Sequence, residues 1–528
     1  MNATRKEALM SPPTQPYARR WQALAVLAMS LLIVSVDNTI LNVALPTIRT
    51  ELDATSSQLQ WIVDGYLLAF AVLLLIAGSL GDRFGRKKAL TFGLVVFGVG
   101  SLFAAGAPGT TQLIASRALM GIGAAAIMPT TLSILTNIFP DDERPRAIAI
   151  WAAVAGMGIA IGPTTGGWLI EHFDWSSIFL VNIPIVVVGL VAGAFLIPES
   201  RDPEPKALDF PGAGLSIAGL TAIVWGLIEA SERGWTDSKI LGAFAIGSAI
   251  LALFVMWERH TSHPMLDVSV FRNLRFSAAS LAVGFVFVAL MGVVDFLTTY
   301  LQSVMGYSAL DAGIRMLPVA VGMISATKLS VVLTEKIGTK IVVAIGMSTV
   351  ASALYVISTC GVDTGYGRVA LALGMLGTGM SLAMSPATES IMGSLPKAKA
   401  GIGSAMNDVV REVGGTLGVA VLGSVLASSY SGSMDDEAVT GLPTDAAEAA
   451  SDSVGGAHDV AAQIGGEAAV RLTHLADSAF VDAMSTTATL ATAVALFGAL
   501  IALLFLPSRA PTAESELPHE VLPEPAAA

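Results

Sequence analysis

Long runs of apolar positions, separated by short polar stretches, follow one another from residue 22 to residue 506. They lack the strict alternation of a half-buried strand, and each is near the ~20 residues that a helix needs to cross a bilayer. Fourteen spans are predicted in this way. Six cover 22–44, 61–80, 89–107, 112–135, 147–169 and 178–197; two follow at 210–228 and 240–257; six more occupy 277–301, 312–333, 341–360, 369–388, 402–428 and 481–506.

Composition closes off most other readings. Of 528 residues, 54% are apolar and 13% charged, about half the charge of a soluble domain, too little to cover a water-facing surface. Net charge is −12, against a nucleic-acid partner, which needs a basic face. Cys360 is the single cysteine, so no internal disulfide or thiolate cluster can form, and no metal or cofactor is expected.

Short loops rich in lysine and arginine stay cytoplasmic. The first residues, every second loop and the C-terminal tail hold 20 of the 29 basic residues, whereas the opposite loops hold Arg49, Arg233, Lys239, Arg368 and Arg471. A multi-pass cell-membrane protein with both termini in the cytoplasm is expected. No removable signal peptide is read in the polar first 20 residues. Trp21, Trp61, Trp151, Trp175 and Trp257 stand at or near span ends and read as interface anchors. Segment 429–478 carries nine acids against Arg471, and reads as a solvated acidic hairpin.

A charge at mid-helix costs about 3 kcal/mol on insertion scales and points to function. Asp37, Asp64, Arg117 and Asp295 lie well inside spans 1, 2, 4 and 9. A buried carboxylate reached by water from one side at a time can take up and release a proton, and it also attracts an organic cation; competition between the two is the physics of antiport. The competing structural reading pairs an aspartate statically with Arg117 or has it cap a broken helix. Arg315 follows Asp311 by one turn, and an i,i+4 pair accounts for it without transport.

Between spans 2 and 3 the chain reads Gly78-Ser-Leu-Gly81-Asp82-Arg83-Phe-Gly85-Arg86-Lys87-Lys88, with glycines for a sharp turn and a basic cluster. A worn copy, Leu333-Thr-Glu335-Lys336-Ile-Gly338-Thr-Lys340, recurs 253 residues later. Parallel repeats of this kind build one class of transporter. In span 5, Gly158, Gly162 and Gly166 recur every four residues, so one helix face allows close backbone approach, and Pro163 permits a bend.

These motifs resemble those of the major facilitator superfamily, and within it the fourteen-span drug:proton antiporters of the QacA/EmrB type. The loop after span 2 is similar to motif A; Arg117-Ala-Leu-Met-Gly121-Ile-Gly123 to motif B; Gly158 to Gly167 to motif C of exporters; Val36-Asp37-Asn38-Thr39 with Asn42 and Pro46 to the motif of the fourteen-span group; and Asp64 in Trp61-Ile-Val-Asp64-Gly-Tyr66 to the acid of exporters of organic cations.

The resemblance implies an all-α integral membrane protein of the major facilitator fold, two six-helix bundles plus two central helices. The expected divisions are 1–20, a cytoplasmic segment; 21–198, the N-terminal bundle; 199–260, the extra helices; 261–507, the C-terminal bundle with the outer loop 429–478; and 508–528, an acidic cytoplasmic tail. It also implies proton-coupled efflux of amphipathic, cationic compounds. Asp37 and Arg117 would couple protons. Asp64 and Asp295, with Trp61, Tyr66, Asn38 and Asn42, would contact substrate. Gly78, Gly81, Asp82, Arg83, Gly85, Arg86, Gly158, Gly162, Pro163, Gly166 and Gly167 would gate, Asp82 locking the cytoplasmic side through the N-terminal end of span 13, where Asp408, Arg411 and Glu412 are its expected partners. Partners would be small amphipathic molecules, protons and the bilayer, around a monomer. An exporter of one metabolite or antibiotic and a nutrient importer are alternatives on the same fold. An enzyme is disfavoured: no Gly-x-Ser-x-Gly elbow or Gly-Lys-Ser/Thr loop occurs, and all six histidines lie outside the spans.

Overall fold

A computed structural model describes residues 17–202, 209–261, 264–434 and 442–508. Its first bundle is made of α1 (Arg20–Glu51), α2 (Ser56–Phe84), α3 (Arg86–Ala105), α4 (Thr110–Ile138), α5 (Arg144–His172) and the broken pair α6 (Ser177–Leu180) and α7 (Asn182–Leu196). The extra hairpin is α8 (Phe210–Arg233) and α9 (Ser238–His260). The second bundle comprises α10 (Leu274–Thr299), α11 (Ala309–Arg315), α12 (Leu317–Ile337), α13 (Thr339–Ser358), α14 (Tyr366–Met392), α15 (Ala400–Ser433) and α18 (Gly466–Phe505), with short helices α16 (Thr444–Asp452) and α17 (Val454–Ile464) before the last. Among the described residues fourteen candidate spans result, as the apolar runs predict.

The burial pattern is that of a protein dissolved in lipid. Small residues such as Ala124, Ala125, Ala491 and Ala495 are buried between helices, whereas Phe103, Phe195, Val321 and Leu504 face outward, 61%, 75%, 65% and 62% exposed. Helices in lipid associate through close packing of small residues, not by hiding large ones from water.

The 253-residue repeat is visible in three dimensions. Gly85 links α2 to α3 at φ +118°, and Gly338 links α12 to α13 at φ +85°, conformations that suit glycine. The amide after each glycine donates to the chain that leaves its own bundle's last helix: Arg86 N to Ser200 O at 2.9 Å, Thr339 N to Ser508 O at 3.1 Å. The halves also meet reciprocally, since α5 packs on α12 and α15 packs on α2. The hairpin's α8 touches both α2 and α15, and so covers that seam.

Two expectations are corrected. Trp151 is no interface anchor: it is fully buried and its indole N–H donates to Thr131 Oγ1 at 3.1 Å. The described part of 429–478 is not a solvated hairpin but helical, and the last span's helix begins at Gly466 rather than near residue 481. Val454, Ala457, Val460 and Ala461 form one buried face there, and Tyr430 O–H donates to Ala450 O at 2.9 Å. Apolar residues at helical spacing inside an acidic segment account for this. The segment to residue 16, the tail from 509, the acids Asp435, Asp436 and Glu437 and the side chain of Asp295 lie outside the described residues.

Candidate functional site

Mid-way along α1, Asp37 is 0% exposed. Arg117 of α4 pairs with its Oδ2, and Asn182 Nδ2, at the break between α6 and α7, donates to its Oδ1 at 3.1 Å. Asn182 also reaches Ser101 Oγ of α3 at 3.2 Å. Arg117 is itself 1% exposed; its Nε donates to Ile62 O at 3.2 Å, and the guanidinium lies 4.3 Å above the Tyr66 ring. A fully buried ion pair persists where both charges have further hydrogen bonds, and here each does. The first bundle therefore encloses a carboxylate whose charge is balanced by one guanidinium.

The glycine face of α5 backs this site. Thr39 Oγ1, two residues beyond Asp37, donates to Gly158 O at 2.8 Å. A Cβ at Gly162 would collide with Thr39 and stand 3.1 Å from Ile40 N, and one at Gly166 would stand 2.8 Å from Ile40 Cγ1. These three glycines thus seat α5 on α1 within one bundle. Contact with the other half comes from their neighbours: a Cβ at Gly167 would lie 3.1 Å from Leu310 Cα, and one at Gly313 of α11 would lie 2.7 Å from Thr164 N and 3.0 Å from Pro163 C.

At the opposite, basic end a second set of contacts joins the halves. Asp82 Oδ1 accepts from Gly401 N at 2.9 Å and Oδ2 from Ile402 N at 3.2 Å, so it caps the first turn of α15. Arg86 Nε donates to Asp82 Oδ1 at 2.8 Å, and its Nη2 to Lys397 O at 3.1 Å. A Cβ at Gly78 would stand 2.5 Å from Gly401 O. Gly81 packs on Thr130, and Arg83 sets its guanidinium 5.4 Å from the Phe84 ring. Beside them Arg144 of α5 bonds Glu389 of α14 at 3.0 Å and Asp141 at 2.8 Å, and Lys397 Nζ lies 2.9 Å from Asp141. The hydrogen bond from Lys397, with Arg144 alongside, holds the Asp141 carboxyl below its ordinary range. Asp141 is thus charged at any physiological pH, and its own contacts with Lys397 and Arg144 weaken as pH falls through that depressed value.

Asp82 thus meets the N-terminal end of span 13 through backbone amides, and the expected side-chain partners Asp408, Arg411 and Glu412 are corrected. Asp408 lies seven residues beyond Gly401, about 10 Å along the helix. It pairs with Arg411 at 3.7 Å, while the Arg411 guanidinium lies 5.6 Å from the Trp151 ring and 4.8 Å from the Phe287 ring. Backbone N–H groups at a helix start are unpaired donors, and they take the carboxylate instead. Tyr66, expected to touch substrate, is fully buried beneath Arg117. Trp61 and Asp64 of α2 are half-buried, as is Asn38, and Asn42 is exposed. Asn182, Ser101, Asp141, Arg144, Glu389 and Lys397 were not singled out by sequence reasoning. Asn182 had a signal, an amide inside an apolar run, whereas the four charges looked only like loop topology.

Glu389→Gln should loosen the basic end. Arg144 keeps Asp141 but loses its half-buried partner, a cost on the order of 2 kcal/mol, between the exposed and buried limits. Alkylation of a cysteine placed at Ser404, with Cys360 replaced by serine, should accelerate roughly thirtyfold; an unchanged rate would dismiss the latch.

Two helical bundles related by a repeat, meeting at both ends around buried charge, define a membrane transporter. The chain belongs to the Major Facilitator Superfamily, whose family model matches residues 27–419. It is 36% identical over 489 residues to the Multidrug efflux pump LfrA of Mycolicibacterium smegmatis, covering 92% of this chain and 96% of that protein. It is 33% identical over 505 residues to the Tetracenomycin C resistance and export protein of Streptomyces glaucescens, covering 93% of each. The Methyl viologen resistance protein SmvA of Salmonella typhimurium is 33% identical over 417 residues, 79% of this chain and 84% of that one. Among solved structures, the proton:xylose symporter XylE superposes with a TM-score of 0.61 at 12% identity, over 93% of this chain and 96% of that one, a likeness of fold. The family is one of transporters rather than enzymes, and the chain is a multi-pass membrane protein that moves small molecules.

Proposed function

We propose that the protein exports amphipathic, cationic drugs in exchange for protons, by alternating access between its two bundles. The observation that carries this is the fully buried Asp37, paired with Arg117 and Asn182. A proton arriving at Asp37 removes the counter-charge of Arg117, so the contacts that tie α1 to α4 and α7 weaken together. Asp64 and Asp295, with Trp61, Asn38 and Asn42, attract the cation, and flexible methionines fit varied shapes. The driving force is ample, at about 2.3 kcal/mol per charge per 100 mV and about 1.4 kcal/mol per pH unit. The family relatives named for multidrug efflux and for methyl viologen resistance support the direction and the cationic substrate class.

The loop charges support placing both termini and the Asp82 end in the cytoplasm. Asp82, Arg144 and Glu389 then form an inner gate, and Pro163, Thr164 and Gly167 against α11 an outer one. One chain contains both bundles and is the working unit. A second reading, export of a single antibiotic, is supported by the full-length similarity to the tetracenomycin C exporter. Everted vesicles decide: ethidium should accumulate when a proton gradient is imposed and leak out when a protonophore collapses it. Uptake indifferent to the gradient would remove the antiport reading, and resistance confined to one drug class would favour the second.

A further inference from the structure

The outer end of the second bundle holds an arrangement that the transport cycle described above leaves unused. Tyr307, in the turn before α11, and Tyr366, first residue of α14, set their rings edge to face, with centroids 6.5 Å apart. Arg315 fills the angle between them, its guanidinium 3.7 Å from the Tyr307 centroid and 5.6 Å from that of Tyr366. Asp311 closes a third side, its Oδ1 3.0 Å from Arg315 Nη1.

The expected i,i+4 pair of Arg315 with Asp311 is present, but it does not by itself explain why two aromatic rings flank the guanidinium. Asp311 is 53% exposed, and an ion pair that open to water contributes little. Arg315 Nη1 donates to Asp311 O at 3.2 Å as well as to its carboxylate, while Nε is buried without a hydrogen-bond acceptor among the described residues, so the faces of the rings share in holding the guanidinium. Two aromatic faces with a carboxylate beside them are the chemistry that receives an organic cation, and the attraction grows as the cation sheds water. The site also sits on the moving part. Arg315 ends α11, whose Gly313 and Leu310 bear on Thr164 and Gly167 of α5, and Tyr366 O–H donates to Arg315 O at 2.9 Å.

We propose that Tyr307, Tyr366 and Asp311 form an exit subsite for organic cations, and that Arg315 is the tethered competitor that empties it. The inference rests on the export of organic cations proposed above. When the outer gate opens, α11 leaves α5, and the departing cation passes between the rings in place of the guanidinium. As the gate closes, Arg315 returns at an effective concentration in the millimolar range, so the subsite releases its guest and resists rebinding from outside.

The test is inhibition of ethidium efflux from intact cells by external tetraphenylphosphonium. Arg315→Gln should lower the half-inhibitory concentration about tenfold, because a millimolar tethered competitor is removed; Arg315→Lys, which restores a cation, should stay near wild type. Tyr307→Leu combined with Tyr366→Leu should raise it. Equal inhibition of wild type, Arg315→Gln and the leucine double variant, with efflux running in each, overturns the subsite. Should Arg315→Gln fail to reach the membrane, Arg315→Lys against the leucine double variant makes the same comparison. Absence of ethidium efflux from wild type would instead sink the export reading. Tetraphenylphosphonium binding to the purified protein then judges the subsite alone: tighter binding by Arg315→Gln supports it, and equal binding overturns it.

Discussion

Asp37→Asn should abolish energised drug export, by at least a hundredfold, while the protein still inserts. Asparagine has nearly the volume of aspartate and can still meet Asn182, but it carries neither charge nor a transferable proton. Arg117 would keep Ile62 O and the Tyr66 face yet lose its counter-charge. Stranding one partner of a buried pair costs about 3–5 kcal/mol, so Asp37→Asn should also lower the thermal midpoint in detergent. Asp37→Glu separates the two effects: it restores the charge, and so should recover stability and part of the transport. Proton-driven ethidium uptake by Asp37→Asn vesicles at the wild-type rate would remove Asp37 from coupling.

Gly162→Leu and Gly167→Leu, five residues apart on α5, should fail in different ways. At Gly162 the new side chain strikes Thr39 and the backbone at Ile40, inside the first bundle and two residues from Asp37. Overpacking there costs about 1–3 kcal/mol and shifts the turn that presents the carboxylate, so transport should fall more than tenfold and the thermal midpoint should drop. At Gly167 the new side chain meets Leu310 of the other half. That bundle stays intact, but the outer faces cannot close. Transport should be lost with little change in midpoint, and a cysteine at Thr164, with Cys360 replaced, should label faster from outside. Loss of stability by Gly167→Leu and not by Gly162→Leu would reverse the assignment.

Much of the fold was legible because its determinants are local. Each span is announced by its own length and hydropathy, and the repeat by Gly85 and Gly338, whose positive φ is a property of those positions. Asp37 and Arg117 were conspicuous as charges in apolar runs. Their pairing was one of several possibilities, since nothing in two separate helices states which faces will meet. Asn182, 145 residues from Asp37, could not be attached to it from sequence. Asp82 was conspicuous too, yet its partners in the other half are the backbone amides of Gly401 and Ile402, and a backbone donor leaves no mark in the choice of side chain.

The sequence by itself thus determined the solvent, the number of helices, the internal repeat and the short set of charges whose cost in lipid demands a purpose. Those follow from hydrophobicity and backbone preference, which act over one or two turns. Only the tertiary structure decided that Gly158, Gly162 and Gly166 seat α5 on α1 whereas Gly167 faces the other half, and that Arg411 rests between Trp151 and Phe287 rather than against Asp82. A helix turns about 100° per residue, so neighbours in sequence face different partners, and which partners those are is settled only when the bundles pack.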